Sequence, residues 1–275
     1  MATRPGLDAW IRTVLDAHRP GSAPAEVRRT SAGAELRLAG DVVVKLHAPR
    51  TDPDALQRRL DLAVSHRQFV PPLETRVRLA PDGRAVTVWP RVGSTDPDAV
   101  AQPWASAGVL LAGLHRVPAP DGLPGHGWPQ RVTRAVGRAP AALRGLGERL
   151  LDQLAHTEPG RSAGVLHGDW HLGQLGRWTD GWRLLDVDDA GVGDPAWDLA
   201  RPAGFWACGL LPDPDWQDFL DAYRDAGGPA VPAAGDPWPV LDLPARCAVF
   251  VAAQQNSHSP ATADALVAAC RRMAQ

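Results

Sequence analysis

Short apolar, β-branched runs separated by turn residues predict three strands early in the chain, over residues 26–30, 34–38 and 41–47. Ser31-Ala-Gly33 and Ala39-Gly40 stand between them as tight turns. Residues 8–18, before them, have the spacing of a short amphipathic helix. Asp52 and Pro53, after them, open a helix to about Ser65, with Asp as cap and Pro at the first position. Residues 75–79 and 84–89 read as a hairpin turning through Pro81-Asp-Gly83. Beyond Gly93 the pattern becomes mostly helical. Residues 104–115 form a buried helix, 118–129 a loop rich in Pro and Gly, and 131–156 helices broken near Ala139-Pro140. A strand at 164–166 leads into a loop and a hairpin ending at 182–187. Asp194-Pro195 starts another helix, and two or three more finish the chain.

The 275 residues, 44% of them hydrophobic, suffice for one large domain or for two lobes around a cleft. We place the division near Trp89-Pro-Arg-Val-Gly93, a stiff then flexible segment: residues 1–93 as a sheet-and-helix lobe, 94–275 as a helical one. No run of 18 apolar residues exists, so no membrane span is expected, and the first residues lack the core of a signal peptide. Three scattered cysteines suggest reduced thiols in a cytoplasmic protein. The basic residues are 28 Arg and one Lys, dispersed and without a recognition motif, which argues against nucleic-acid binding. Residues 1–93 hold 15 basic and 10 acidic groups, and the remainder 14 and 21. A positive front half suits polyphosphate, and a negative back half a cationic or neutral acceptor.

The single lysine, Lys45, lies in the third predicted strand. A compact ammonium there suits contact with phosphate, although one surviving surface lysine is the plain alternative. Residues 167–174 read His-Gly-Asp-Trp-His-Leu-Gly-Gln, and Leu-Leu-Asp186 follows twelve residues later. Phosphoryl transfer needs a carboxylate facing the acceptor hydroxyl and oxygen ligands for magnesium on the phosphates. Asp169, Gln174 and Asp186 have the order and spacing of those groups in protein kinases, with Gln where Asn is usual.

Together with Gly193-Asp-Pro-Ala-Trp-Asp-Leu-Ala200, this stretch resembles the aminoglycoside phosphotransferase and choline kinase family. The Leu-Gly-Gln ending is closer to maltokinase-like and glucosamine-kinase-like enzymes. The strong similarity covers about residues 160–202. It implies an α+β, two-lobed protein-kinase-like fold, with a small antiparallel sheet in the N-lobe and a mostly helical C-lobe. It also implies magnesium ATP as phosphate donor and a small hydroxylated molecule as acceptor. Asp169 would then orient the acceptor hydroxyl and take its proton. Asp186 and Gln174 would bind Mg2+, and Lys45 the phosphates. Arg91 or Val92 would donate a backbone N–H to the base, since Pro90 has none. His167 would support the catalytic loop, and His171 and Asp188 could touch acceptor or metal. For Asp188 and Asp189, solvated turn carboxylates are the commoner reading. Asp194 reads as a helix cap and Asp198 as a scaffold carboxylate. All of this requires Lys45, Asp169 and Asp186 to converge on one triphosphate.

One departure from the family pattern concerns the partner of Lys45. The following helix contains no Glu, so Asp61, or another acid such as Glu74, would have to pair with it, or the pair is absent. The acceptor is less determined. Asp215, Asp218, Asp221 and Asp225 at helical spacing could meet a polyamine sugar or be a solvated face. Trp170, Trp197 and Trp206 could stack on a sugar or fill the core. The expectation is an ATP- and magnesium-dependent kinase of a sugar, amino sugar or aminoglycoside-like acceptor. The alternative is a nucleotide-binding pseudokinase acting as a regulatory module.

Overall fold

A computed structural model describes residues 4–21, 26–30, 33–96, 99, 101–156, 163–255 and 258–274. The Ser31-Ala32 part of the first predicted turn lies outside them. Two compact units form, one of Met1–Ser94 with Gly176–Asp188, the other of Thr95–Leu175 with Asp189–Gln275.

The first unit begins with helix α1, Arg4–His18. Five antiparallel strands follow: β1 Glu26–Arg29, β2 Glu35–Ala39, β3 Val42–Leu46, β4 Arg78–Leu79 and β5 Ala85–Pro90, in the order β1-β2-β3-β5-β4. Leu7, Ile11, Val14 and Leu15 recur at helical spacing and bury one face of α1 with Val42, Val44 and Leu46 of β3. Strand alternation then puts Lys45 and His47 on the opposite side from those three. Asp52 caps α2, Pro53–Ser65, by accepting from the N–H groups of Asp54 at 2.9 Å and Ala55 at 3.3 Å. The hairpin strand expected at 75–79 is shorter than its pattern predicts. Gln57 of α2 takes the Val77 N–H at 2.8 Å and donates to the Thr75 carbonyl at 2.9 Å, so a side chain replaces the sheet ladder there.

A second small sheet in this unit has the order β6-β8-β9, with β6 Gly93–Ser94, β8 Leu175–Trp178 and β9 Gly181–Leu184. The end of β9 is tied to the residues after α2: Leu184 donates to the Gln68 carbonyl at 2.7 Å and accepts from Val70 at 3.0 Å. This anchors the segment that carries Asp186.

The second unit is mostly helical: α3 Trp104–His115, α4 Trp128–Arg138, α5 Ala141–Ala155, α6 Ala196–Ala207, α7 Asp213–Asp225, α8 Trp238–Ala253 and α9 Pro260–Ala274. Helix α4 starts inside the stretch expected to be loop, because Pro129 falls in its first turn, where a missing N–H breaks no helical bond. Phe250, Leu143, Leu146, Leu150, Trp128 and Val132 share its main core. A two-stranded antiparallel pair, β7 Gly164–Leu166 with β10 Gly191–Gly193, holds the two ends of the motif region together. Helix α3 meets α7 closely at Gly108, where a methyl group would lie 2.4 Å from the Phe219 carbonyl oxygen. Among the described residues no helix is long and apolar enough to cross a membrane, and all three cysteines are free thiols.

Candidate active site

In the first unit Lys45 is buried at 7% exposure. Its ammonium lies 2.7 Å from Asp186 Oδ2 and 2.9 Å from Asp188 Oδ2. Burial alone would pull the ammonium down, but the charges of Asp186 and Asp188 outweigh it and hold the group well above the ordinary lysine value. Asp188 is held far below the usual carboxylate range: burial opposes this, and Lys45 and then His47 overcome it. His47 Nδ1 sits 3.2 Å from Asp188 Oδ2, and His47 Nε2 sits 2.8 Å from the Thr87 hydroxyl. Trp89 Nε1 donates to that hydroxyl at 2.8 Å. One proton arrangement satisfies the whole chain: Trp89 to Thr87, Thr87 to His47 Nε2, and His47 Nδ1–H to Asp188.

The acids expected from the helix side are engaged elsewhere. Asp61 accepts from Gln57 at 2.8 Å, and Glu74 pairs with His18 at 2.6 Å and with Arg78. Lys45 takes its partners instead from the segment after β9, and Asp188 is therefore no solvated turn residue. Asp186 has φ of 59°, a left-handed conformation uncommon outside glycine. Its Oδ1 accepts from the Asp188 N–H at 3.0 Å, the local bond that makes this turn tolerable for an aspartate.

Among the described residues no group of three or more His, Cys, Asp or Glu could hold a metal alone. The two carboxylates still fit magnesium. That ion is commonly held by one or two carboxylates plus phosphate oxygens and water, not by an all-protein cage. Asp188 Oδ1 lies 3.1 Å from His47 Nδ1 but takes no well-aligned hydrogen bond among the described residues, so it can turn to a hard cation. Arg91 N–H donates to the Asp41 carbonyl at 2.6 Å, so that amide is already used inside this unit and is not free for a nucleotide base. Val92 is half-buried.

In the second unit β7 runs into His167-Gly-Asp169. Asp198, in the first turn of α6, fixes the start of that loop. It accepts from the N–H of His167 at 2.7 Å, the N–H of Gly168 at 2.9 Å and His115 Nε2 at 3.0 Å. The scaffold role expected of Asp198 matches these bonds, and Asp194 accepts from the Ala196 N–H at 2.9 Å as a helix cap would. Gly168 has φ of 80°, and a Cβ there would fall 2.0 Å from the Asp189 carbonyl oxygen. Gly168→Ala is expected to destabilise the protein by roughly 2 kcal/mol or more, from the left-handed backbone and the clash together. A thermal-unfolding comparison with wild type checks it, and an unchanged midpoint would mean the loop is not held as described.

Asp169 receives Arg131 Nη1 and, at 3.3 Å, Arg201 Nη2. Burial would raise its carboxyl, but Arg131, Arg201 and His171 hold it below the usual range. Arg131 reaches Asp189 with its other terminal nitrogen. Burial pushes His171 down to about 4, with Arg201 adding to the effect. Its Nδ1 accepts from the Gly173 N–H at 3.1 Å, so the neutral ring carries its proton on Nε2. His167 Nδ1 lies 3.4 Å from the Asp169 N–H. Gln174 closes a short turn by donating its N–H to the His171 carbonyl at 2.8 Å and is half-buried.

The structure thus joins Lys45, Asp186 and Asp188 in one unit, and Asp169 belongs to the other with His167, His171 and Gln174. Arg131, Arg201 and His47 escape sequence reading. In a chain with 28 arginines nothing marks these two, although Arg201 follows Asp198 by one helical turn and so shares its face. Trp170 and Trp197 are 1% and 9% exposed and belong to the core, so neither offers a stacking face. Asp218, Asp221 and Asp225 lie on the exposed side of α7, opposite buried Trp216, Phe219 and Tyr223.

The model of the "Phosphotransferase enzyme family" matches residues 40–238. No curated protein sequence matches the chain. Among solved structures, a choline/ethanolamine kinase family protein from Mesorhizobium loti is similar at TM-score 0.64 and 17% identity, over 98% of this chain and 95% of that one. A choline kinase from Streptococcus pneumoniae gives 0.63 and 12%, over 97% and 98%. A spectinomycin phosphotransferase solved with ADP and spectinomycin gives 0.60 and 13%, over 97% and 98%. Identities this low speak for the shared fold, two-lobed and α+β, with an antiparallel five-stranded sheet and many helices.

Proposed function

The chain belongs to the phosphotransferase enzyme family, a small-molecule phosphotransferase, and on that premise we propose that it transfers phosphate from magnesium ATP to a hydroxyl of a sugar, amino sugar or aminoglycoside-like molecule. The observation that carries this reading is the buried Lys45 ammonium shared by Asp186 and Asp188. An ammonium and two carboxylates in contact are the groups a triphosphate with its metal requires. Lys45 would turn to the phosphate oxygens, and Asp186 with Asp188 would supply oxygens for the metal. Magnesium, when bound, neutralises charge on the phosphates. Val92 supplies the backbone donor for the base, since the Arg91 amide is occupied.

Asp169 holds the acceptor oxygen in line and takes its proton late, because the transition state is loose and needs positioning more than a strong base. Its depressed carboxyl suits that role: ionised, it only accepts. His167 supports the loop. Free thiols and no membrane-crossing helix among the described residues suit a cytoplasmic enzyme.

The test is magnesium-dependent ADP release against a panel of sugars, amino sugars and aminoglycosides. Lys45→Met is expected to lower kcat/KM for ATP about 100-fold or more, as loss of a preorganised charge at the phosphates does. Equal turnover by wild type and variant, at equal melting temperature, would remove Lys45 from the mechanism.

A further inference from the structure

Resting on the reading that Asp169 meets the acceptor hydroxyl, we propose that the acceptor carries a carboxylate, held by Arg201 with Arg131 beside Asp169. Two guanidinium groups stand at one carboxylate. The Arg131 and Arg201 side chains are 13% and 14% exposed, and both reach Asp169 Oδ1. Arg131 has a second acid in Asp189. Among the described residues Arg201 has one long bond, 3.3 Å, and its Nε is buried without a partner, as is the Nε of Arg131. A guanidinium presents five donors and cannot give up its charge, so a buried one with few acceptors suits an anion.

Acceptors close by among the described residues are engaged elsewhere. Both oxygens of Asp198 are taken by His115 and the loop amides. His171 lies near enough to be pushed down by Arg201, and its Nδ1 already accepts from Gly173. Phe205, one turn beyond Arg201 on α6, packs edge-on against His258, whose Nε2 is also buried without a partner. Burial, then the neighbouring Arg131 charge, pulls Arg201 below its ordinary value despite Asp169.

Loading the acceptor sharpens the imbalance. When Asp169 turns an oxygen to the acceptor hydroxyl, it offers less to the two arginines, and the ligand has to replace what they lose. A carboxylate matches the guanidinium fork with two parallel bonds. An ammonium at that place would meet two buried like charges instead. The predicted acceptor is therefore a small hydroxy acid, such as a sugar acid, which narrows the acceptors proposed above to acidic sugars and sets amino sugars and aminoglycosides aside.

Calorimetry on the full chain tests this with matched probes: D-gluconate, sorbitol and glucosamine, then D-glycerate, glycerol and 3-amino-1,2-propanediol. Wild type is expected to bind the carboxylate of each set roughly 10- to 100-fold more tightly than the alcohol and the amine. Arg201→Gln should abolish that preference, and Arg201→Lys should keep part of it. The preference is a ratio within one protein, so a general loss of stability would not change it. In a parallel arm, a non-hydrolysable ATP analogue with magnesium should bind Arg201→Gln and wild type alike. Three results overturn the proposal: no carboxylate preference in wild type, a preference surviving in Arg201→Gln, or a loss confined to the nucleotide, which would assign the arginines to phosphate. Acceptor-dependent ADP release is scored separately. Turnover of amines alone sinks the carboxylate and leaves the kinase standing, whereas carboxylate binding without any turnover sinks the kinase reading.

Discussion

Asp169→Asn is expected to lower acceptor-dependent kcat by about 100- to 10,000-fold, the range for losing a positioned proton acceptor. The substitution keeps the size of the side chain and removes its charge. The amide oxygen can still orient a hydroxyl weakly, but it cannot take the proton as the bond to phosphorus forms. Affinity for magnesium ATP should stay within about 3-fold, since loss of an interaction made in the transition state lowers kcat and leaves ground-state binding. Arg131 keeps Asp189, while Arg201 loses its acid. A modest drop in melting temperature should therefore accompany the kinetic loss, and the two effects are separable by assaying well below the midpoint. In wild type the arginines keep Asp169 ionised below the usual carboxylate range. Its protonation should limit turnover only below about pH 4, the ordinary value for an aspartate. A variant within ten-fold of wild-type kcat would remove Asp169 from the chemistry.

Much of the frame is legible in the sequence because its signals are local. Val42, Val44 and Leu46 pack on α1 while Lys45 and His47 face away, as two-residue periodicity requires. Asp52-Pro53 sits where a capped helix starts, and Ala139-Pro140 falls between α4 and α5. What cannot be read is what depends on pairing at a distance. Asp186 and Asp188 lie more than a hundred residues from Lys45 in sequence, and no pattern around Lys45 points to them. The family precedent points instead to helix α2, where Asp61 is occupied by Gln57. Arg131 and Arg201 are hidden for another reason: arginine is so common here that its presence carries no information. The carboxylates of the motif are visible one by one, but their counter-charges emerge only from the folded chain.

Asp198→Ala is expected to cost about 3–5 kcal/mol, the range for removing one partner of a buried charged network. For a chain of this size that corresponds to a fall in melting temperature of roughly 6–20 °C. The side chain is fully buried, with relative exposure of 0%. Three donors converge on it, the amides of His167 and Gly168 and the ring of His115, and alanine leaves all three without an acceptor. His115 also meets the Tyr223 hydroxyl at 2.8 Å, which accepts from the Ala230 N–H at 3.0 Å, so the damage extends along α3 and α7. The sign with pH follows from the direction of the shift. Burial would raise the Asp198 carboxyl, but the hydrogen bond from His115, the nearby charges and the His167 amide together hold it below its ordinary value. Its stabilisation is thus fully present above about pH 4, the unfolded value, and fades as pH falls through the lower folded value. The gap in melting temperature between wild type and Asp198→Ala should narrow only at strongly acid pH. A gap that closes between pH 7 and pH 5 would mean that Asp198 is not ionised in the folded protein, and the loop bearing Asp169 would then need another anchor.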